Sequence, residues 1–280
     1  MRIENIPGQA GHAIPTRVWD TAPAAMRPPV PIVMTHGLQS HSGWFSRSQT
    51  FLAGLGHPVY AFDRRGSGLS TERRGDCAGF HELVDDVLAV AERAHKDYGA
   101  ERVHVLGHCF GALPAAAFAC THPARTASLV LATPGLFTKS DLRLSEKLRV
   151  FASVATGREA RFPVPLEAEM FSELPEHVQF IRDDTLSLPD ASARFFFNVF
   201  QIRRFLARAS SALTMPVLMA CAGRDEICDN ARNRRYFESL PSPAKRLVEY
   251  PRAKHILEMS VQRDDFFADL ARWFEREGRT

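Results

Sequence analysis

The run Arg102-Val103-His104-Val105-Leu106-Gly107-His108-Cys109-Phe110-Gly111-Ala112-Leu113-Pro114-Ala115-Ala116-Ala117-Phe118-Ala119-Cys120 decides how this chain folds. Val103, Val105 and Leu106 make its first part an apolar, β-branched segment, which predicts a buried strand. The alanine-rich part, 112–120, predicts a buried helix. Between them the chain turns sharply at Gly107-x-Cys109-x-Gly111. Strand, tight turn and helix together are the context of a nucleophile elbow, with Cys109 where such a turn usually carries serine. A side chain at either glycine would strike the neighbouring strand or helix. The helix that starts at the turn directs its positive end at the thiol and lowers the free energy of the thiolate. No Gly-x-Ser-x-Gly occurs elsewhere, so no serine competes for the role.

On both sides of this run, apolar segments alternate with amphipathic ones. Residues 30–35, 58–62, 103–106, 128–132, 216–220 and 246–250 read as buried parallel strands. Residues 81–98 place Leu83, Val87, Leu88 and Ala91 on one helical stripe, and 230–240 and 264–277 read as further helices. The fold class is therefore α/β, with a mostly parallel sheet covered by helices on both faces. The alternation stops between about 134 and 212, where Pro163, Pro165, Pro175 and Pro189 punctuate a segment rich in phenylalanine. No strand-like run is visible there, so 134–212 reads as a helical cap over a core formed by 1–133 and 213–280. Aromatic density in a segment that starts at a strand's carboxyl end points to an apolar entrance. Phe137 and Phe196 are its candidate substrate-binding residues.

A nucleophile of this kind needs a base and a carboxylate that orients the base. Asp225 lies just past the 216–220 strand, with Glu226 and Asp229 as rival acids. His255 lies just past the 246–250 strand, while His36, His41, His104 and His108 all precede the nucleophile. Cys109, Asp225 and His255 fall in the order nucleophile, acid, base at the carboxyl ends of successive strands, where such a sheet places its site. The developing oxyanion needs two backbone donors: Phe110 N–H, after the nucleophile, and Leu38 N–H, in the loop Thr35-His36-Gly37-Leu38. His36 reads as a residue that orders this loop.

Composition narrows the field further. With 280 residues, 45% hydrophobic and 24% charged, the chain can bury a substantial core, and a net charge of +3 without basic runs argues against nucleic acid as a partner. The N-terminal residues lack an apolar signal region and no stretch is long enough to span a bilayer, so the expected location is cytoplasmic. Five cysteines, an odd number with no Cys-x-x-Cys pair, favour neither a disulfide framework nor a structural zinc site. Neither a metal nor a cofactor is expected. Apart from Cys109, each cysteine reads as a small buried hydrophobe.

His36-Gly37-Leu38-Gln39-Ser40-His41-Ser42-Gly43, Ala61-Phe62-Asp63-Arg64-Arg65-Gly66-Ser67-Gly68-Leu69-Ser70, the elbow, Gly223-Arg224-Asp225 and the late His255 resemble the lysophospholipase and monoacylglycerol-lipase-like (serine aminopeptidase S33-type) branch of the α/β-hydrolase superfamily. The resemblance covers nearly all of the chain outside 134–212. It implies Cys109 as nucleophile, Asp225 as acid, His255 as base, and Leu38 and Phe110 as oxyanion donors. It also implies a structural turn at Asp63, Arg65 and Gly66. The chain departs from the pattern in having Cys for Ser, Gln39-Ser40 for a small residue and Glu, and Phe110 for Met. A thiolate needs less help from its base than a hydroxyl and forms a thioester, which favours acyl donors with good leaving groups. The expectation is hydrolysis of an ester or thioester of a small-molecule acyl substrate, free or bound to a carrier or CoA. Acyl transfer or cyclisation on the same triad, and ligand binding without catalysis, are the alternatives.

Overall fold

Eight strands form a single sheet in the computed structural model, which describes residues 1–20 and 30–277. Residues 21–29 and 278–280, assigned above to the core, lie outside the described residues. The chain enters through an antiparallel pair, β1 (Arg2–Pro7) and β2 (Ala13–Trp19). It then alternates through β3 (Ile32–Thr35), α1 (Ser46–Gly54), β4 (Val59–Phe62), α2 (Phe80–Tyr98), β5 (Val103–His108), α3 (Ala112–Thr121) and β6 (Thr126–Ala132). Next come α4 (Leu144–Thr156), β7 (Arg161–Pro163), α5 (Pro175–Asp183), β8 (Asp190–Ser192) and α6 (Ala193–Ala209), which contribute nothing to the main sheet. The alternation resumes with β9 (Val217–Ala222), α7 (Asn230–Ser239), β10 (Lys245–Tyr250) and α8 (Arg263–Glu277).

The strand order is β1-β2-β4-β3-β5-β6-β9-β10, and every pair from β4 to β10 is parallel. From β3 the chain moves first to β4 on one side and then crosses back to β5 on the other. The carboxyl ends of β3 and β5 therefore flank the point where winding reverses, which is where an open parallel sheet leaves a crevice.

The pleat explains why these strands read as continuous apolar runs. Val33, Val105, Leu129, Leu131, Val217 and Met219 join the core under α2 and α3. Their neighbours Met34, Leu106, Val130, Ala132, Leu218 and Ala220 join the core under α1 and α8. Successive side chains point to opposite faces, and both faces are covered. On the second face α8 buries Phe266, Leu270, Trp273 and Phe274, each worth roughly 1.5–3 kcal/mol relative to exposure.

The segment between β6 and β9 differs from the sequence expectation. It is largely helical, but β7 and β8 pair antiparallel there, Phe162 facing Ala191 and Arg161 bridging to Asp190 at 2.5 Å. Three residues a side, one of them Pro163, are too few for any periodicity to show. The segment is fastened to the loop after β3. Leu188 N donates to Gln39 O at 2.9 Å, Trp44 Nε1 donates to Asp184 Oδ2 at 2.6 Å, and the same oxygen lies 3.1 Å from His41 Nε2. Among the described residues no helix is long and apolar enough to cross a membrane.

Candidate active site

Cys109 sits one residue past β5 with φ +51, a left-handed backbone that non-glycine residues adopt rarely. Its flanking glycines are compelled by space. A Cβ on Gly107 would lie 2.6 Å from Ala112 Cα at the start of α3, and one on Gly111 would lie 2.7 Å from His36 O beyond β3. The Thr35 hydroxyl donates to Gly111 O at 2.7 Å and locks the turn against β3.

His255 and Asp225 arrive from the ends of β10 and β9. His255 Nδ1 lies 3.0 and 2.9 Å from the two Asp225 carboxylate oxygens, and both side chains are buried. Of the three acids left open by the sequence, Asp225 is the one on the imidazole. Glu226 pairs with Lys254 at 2.9 Å and Asp229 caps α7 by accepting from Arg232 N at 3.0 Å. The Asp225 Oδ1 also accepts from Ile227 N and Cys228 N at 2.8 and 2.9 Å. Nε2 of His255 has no partner other than Cys109, with which it lines the same small recess.

A fourth group completes the cluster. The Cys228 thiol donates to Thr133 O at 3.3 Å and interacts with Cys109 beside it. The sequence reading treated Cys228 as an ordinary buried cysteine. The usable signal was its place three residues after Asp225, on a loop that folds back under the carboxylate. Asp225, Cys228 and His255 offer donor atoms within 4.8 Å of one another, the one such group of possible metal ligands among the described residues. Asp225 and His255 already satisfy each other there.

Electrostatics separate Cys109 from the other thiols. The interaction with Cys228, opposed by burial and joined by the charge of His255, holds Cys109 well below the ordinary thiol range. Burial pushes Cys77, Cys120 and Cys221 up to about 12, and burial together with the interaction with Cys109 raises Cys228 as well. Burial alone would lower His255, but the charges of Asp225 and Cys109 outweigh it and raise the imidazole to about 10. Asp225 is buried too, yet His255 and the two backbone donors keep it below the usual carboxylate range. The arrangement favours a thiolate–imidazolium pair over two neutral groups.

Both candidate oxyanion donors belong to peptides held from their carbonyl side. His36 Nδ1 lies 2.9 Å from Gly37 O, which orients the peptide carrying Leu38 N–H. His36 Nε2 accepts from Arg64 N at 3.0 Å, so the ring is a neutral tautomer with its proton on Nδ1, and burial lowers its pKa to about 3. Likewise Gly135 N donates to Cys109 O at 2.8 Å and orients the peptide carrying Phe110 N–H. In a trans peptide N–H and C=O point opposite ways, so fixing each carbonyl aims each donor. Gly37 lies against Cys109: a Cβ there would be 3.2 Å from Cys109 Cβ. Arg64 Nη2 donates to Leu38 O, and its guanidinium stacks over Phe110 and Phe195 at 5.2 and 5.1 Å. Asp63 accepts from Ser42 N and Leu69 N at 2.7 and 2.8 Å, and Gly66 has φ +69, so that turn serves to hold the loops.

A cavity of about 60 Å³ opens beside Cys109, lined by Leu38, Phe110, Leu142, Phe196, Val199 and Arg203 among others. Phe196 is thus placed beside Cys109. Phe137 is not: the loop after β6 turns toward α7, Phe137 N donates to Asn233 Oδ1 at 3.1 Å, and the ring packs between Tyr236 and the Arg232 guanidinium, 4.4 Å from the latter. Arg203, which the sequence reading passed over, sits in its stead.

Comparison with known proteins places the chain in a family. The family profile described as serine aminopeptidase, S33 matches residues 27–260. A monoglyceride lipase of Homo sapiens is 26% identical over 261 residues, covering 89% of this chain and 83% of that protein. A monoacylglycerol lipase of Mycolicibacterium smegmatis is 26% identical over 275 residues, covering 95% and 94%. The solved structure of the Paleococcus ferrophilus monoacylglycerol lipase superposes with a TM-score of 0.82 at 22% identity, covering 99% of this chain and 100% of that one.

Proposed function

The chain belongs to the serine aminopeptidase S33 family of α/β-hydrolases, and from that membership we propose that it cleaves a carboxylic ester or thioester through an acyl-enzyme on Cys109. The observation that carries the reading is the cluster of Cys109, His255, Asp225 and Cys228, in which the nucleophile alone among the five cysteines is held below its ordinary pKa.

The Cys109 thiolate attacks the acyl carbonyl, and its lone pair forms the C–S bond while the carbonyl electrons move to oxygen. Leu38 N–H and Phe110 N–H receive that oxyanion. As the oxyanion collapses, the C–O or C–S bond of the donor breaks and imidazolium His255 protonates the departing group through Nε2. His255, now neutral, takes a proton from water as the water attacks the thioester, and the second collapse returns the thiolate and the imidazolium. Asp225 holds the ring by Nδ1 throughout and keeps its charged form favourable. Residues 134–212 act as the cap that closes over the acyl group. Water is the acceptor in this reading because the relatives' names are those of lipases; an amine or alcohol would take the same thioester.

Intact-protein mass spectrometry after a brief exposure to 4-nitrophenyl butyrate tests it. One butyryl group should appear on wild type and none on Cys109→Ala. Cys109→Ser should lose turnover, since a hydroxyl is a far weaker acid than a thiol and needs more proton abstraction than a site built around a thiolate supplies. Undiminished hydrolysis by Cys109→Ala would remove Cys109 from the chemistry, and product formed only with an added amine would make the protein a transferase.

A further inference from the structure

We propose that Arg203 is the receptor for a negative charge on the acyl group, so that the preferred donors are half-esters or half-thioesters of short dicarboxylic acids. The inference rests on the acyl-enzyme reading above and names its substrate class.

Phe196, Val199 and Arg203 lie on α6 at positions i, i+3 and i+7, which puts them on one face of the helix, and all three line the cavity beside Cys109. Two of them are apolar, as are Leu38, Phe110 and Leu142 around them. The guanidinium is the one cation in that lining. Its Nη2 donates to Gly135 O at 3.1 Å and Thr138 Oγ1 at 3.2 Å, both neutral acceptors, and its Nε is buried with no partner. Gly135 in turn donates to Cys109 O, so Arg203 stands one residue removed from the nucleophile's own peptide.

Among the described residues no carboxylate forms an ion pair with Arg203. The one acid that lines the cavity, Asp141, is exposed and pairs with Lys147 at 2.8 Å. Burial pushes the Arg203 guanidinium below its ordinary value, and the charge of Asp141 offsets this only in part. Isolated charges in apolar surroundings are costly unless an opposite charge meets them. A guanidinium matches a carboxylate best, through charge-assisted N–H···O bonds. With the thioester carbonyl at Cys109, a short apolar spacer would fill the cavity between Phe196 and Val199 and bring the far carboxylate to Nε. The small volume, about 60 Å³, suits a few methylenes.

The measurement is kcat/KM on two esters of equal chain length, 4-nitrophenyl pentanoate and the mono-4-nitrophenyl ester of glutaric acid. Wild type should favour the glutarate ester by about tenfold or more, the order expected for a hydrogen bond to a charged group. Arg203→Met should lower that ratio at least ~10-fold and Arg203→Lys should retain part of it. Free glutarate should also raise the melting temperature of wild type and not of Arg203→Met, a readout that needs no catalysis. A ratio near one in wild type, or an equal loss on both esters in Arg203→Met with no change in their ratio, would overturn the proposal and leave Arg203 as a clamp on the 135–138 loop. Failure of the acyl-enzyme reading is distinguishable: both esters would then turn over undiminished in Cys109→Ala while the glutarate shift persisted.

Discussion

The interaction of Cys228 with Cys109 has a measurable worth. Replacing Cys228 with alanine removes the largest contribution that stabilises the thiolate. Iodoacetamide inactivation of Cys228→Ala should therefore need a higher pH than wild type to reach half its limiting rate, and superimposable pH profiles would deny the interaction any role. His255 titrates from the other side. Raised to about 10, it keeps its proton through neutral pH, so the pair persists between the depressed Cys109 value and about 10. Activity should hold level across neutral pH and fall as pH passes about 10. Asp225→Asn withdraws a charge that raises His255, so its alkaline limb should move to lower pH, with a loss of ~10² to 10⁴-fold in the rate. An unmoved limb would assign the orienting role elsewhere. Cys109, Asp225 and His255 were legible in the sequence because each follows a strand end at a turn of recognisable composition. Cys228 and Arg203 were not, because one depends on how a loop folds back and the other on the rotation of α6.

At the scale of elements, what the sequence showed were segments whose apolar pattern is long enough to repeat. The six parallel strands and α2, α3, α7 and α8 were readable for that reason. The N-terminal pair was missed although Ile14, Thr16 and Val18 alternate to one buried face, because charged and small residues around them hide the run. The elbow is the element most sharply determined by space, and two glycine substitutions measure it. Gly111→Ala would press a methyl to 2.7 Å from the His36 carbonyl, a backbone atom that cannot swing aside. It should cost upward of ~3 kcal/mol, in the range of severe core disruption. Gly54→Ala, at the end of α1 with nothing within 4 Å of the new methyl, should instead stabilise by roughly 0.5–1 kcal/mol. Urea titration of both variants checks the pair, and equal effects would show that the tight contact around Gly111 yields.

Among the described residues, Glu258 is a buried carboxyl that works against the fold. Glu258 accepts from the backbone and hydroxyl of Ser48, yet burial raises it to about 7. A carboxyl whose folded value exceeds its unfolded value binds protons better when folded, so it favours the fold below its unfolded value and progressively loses that advantage up to about 7. Glu258→Gln keeps an acceptor for Ser48 without the charge. It should raise the melting temperature at pH 8 and flatten its decline between pH 5 and 8, and a parallel decline in both proteins would place the strain elsewhere. Across the same molecule, the bonds from Asp184 and Leu188 to Trp44 and Gln39 tie the segment between β6 and β9 to the loop that carries Leu38. Linkage is reciprocal: if an acyl group at Cys109 tightens these bonds, the bonds strengthen its affinity by the same factor. A ligand that touches only the 134–212 segment would then still be felt at Leu38, through Gln39 and Trp44.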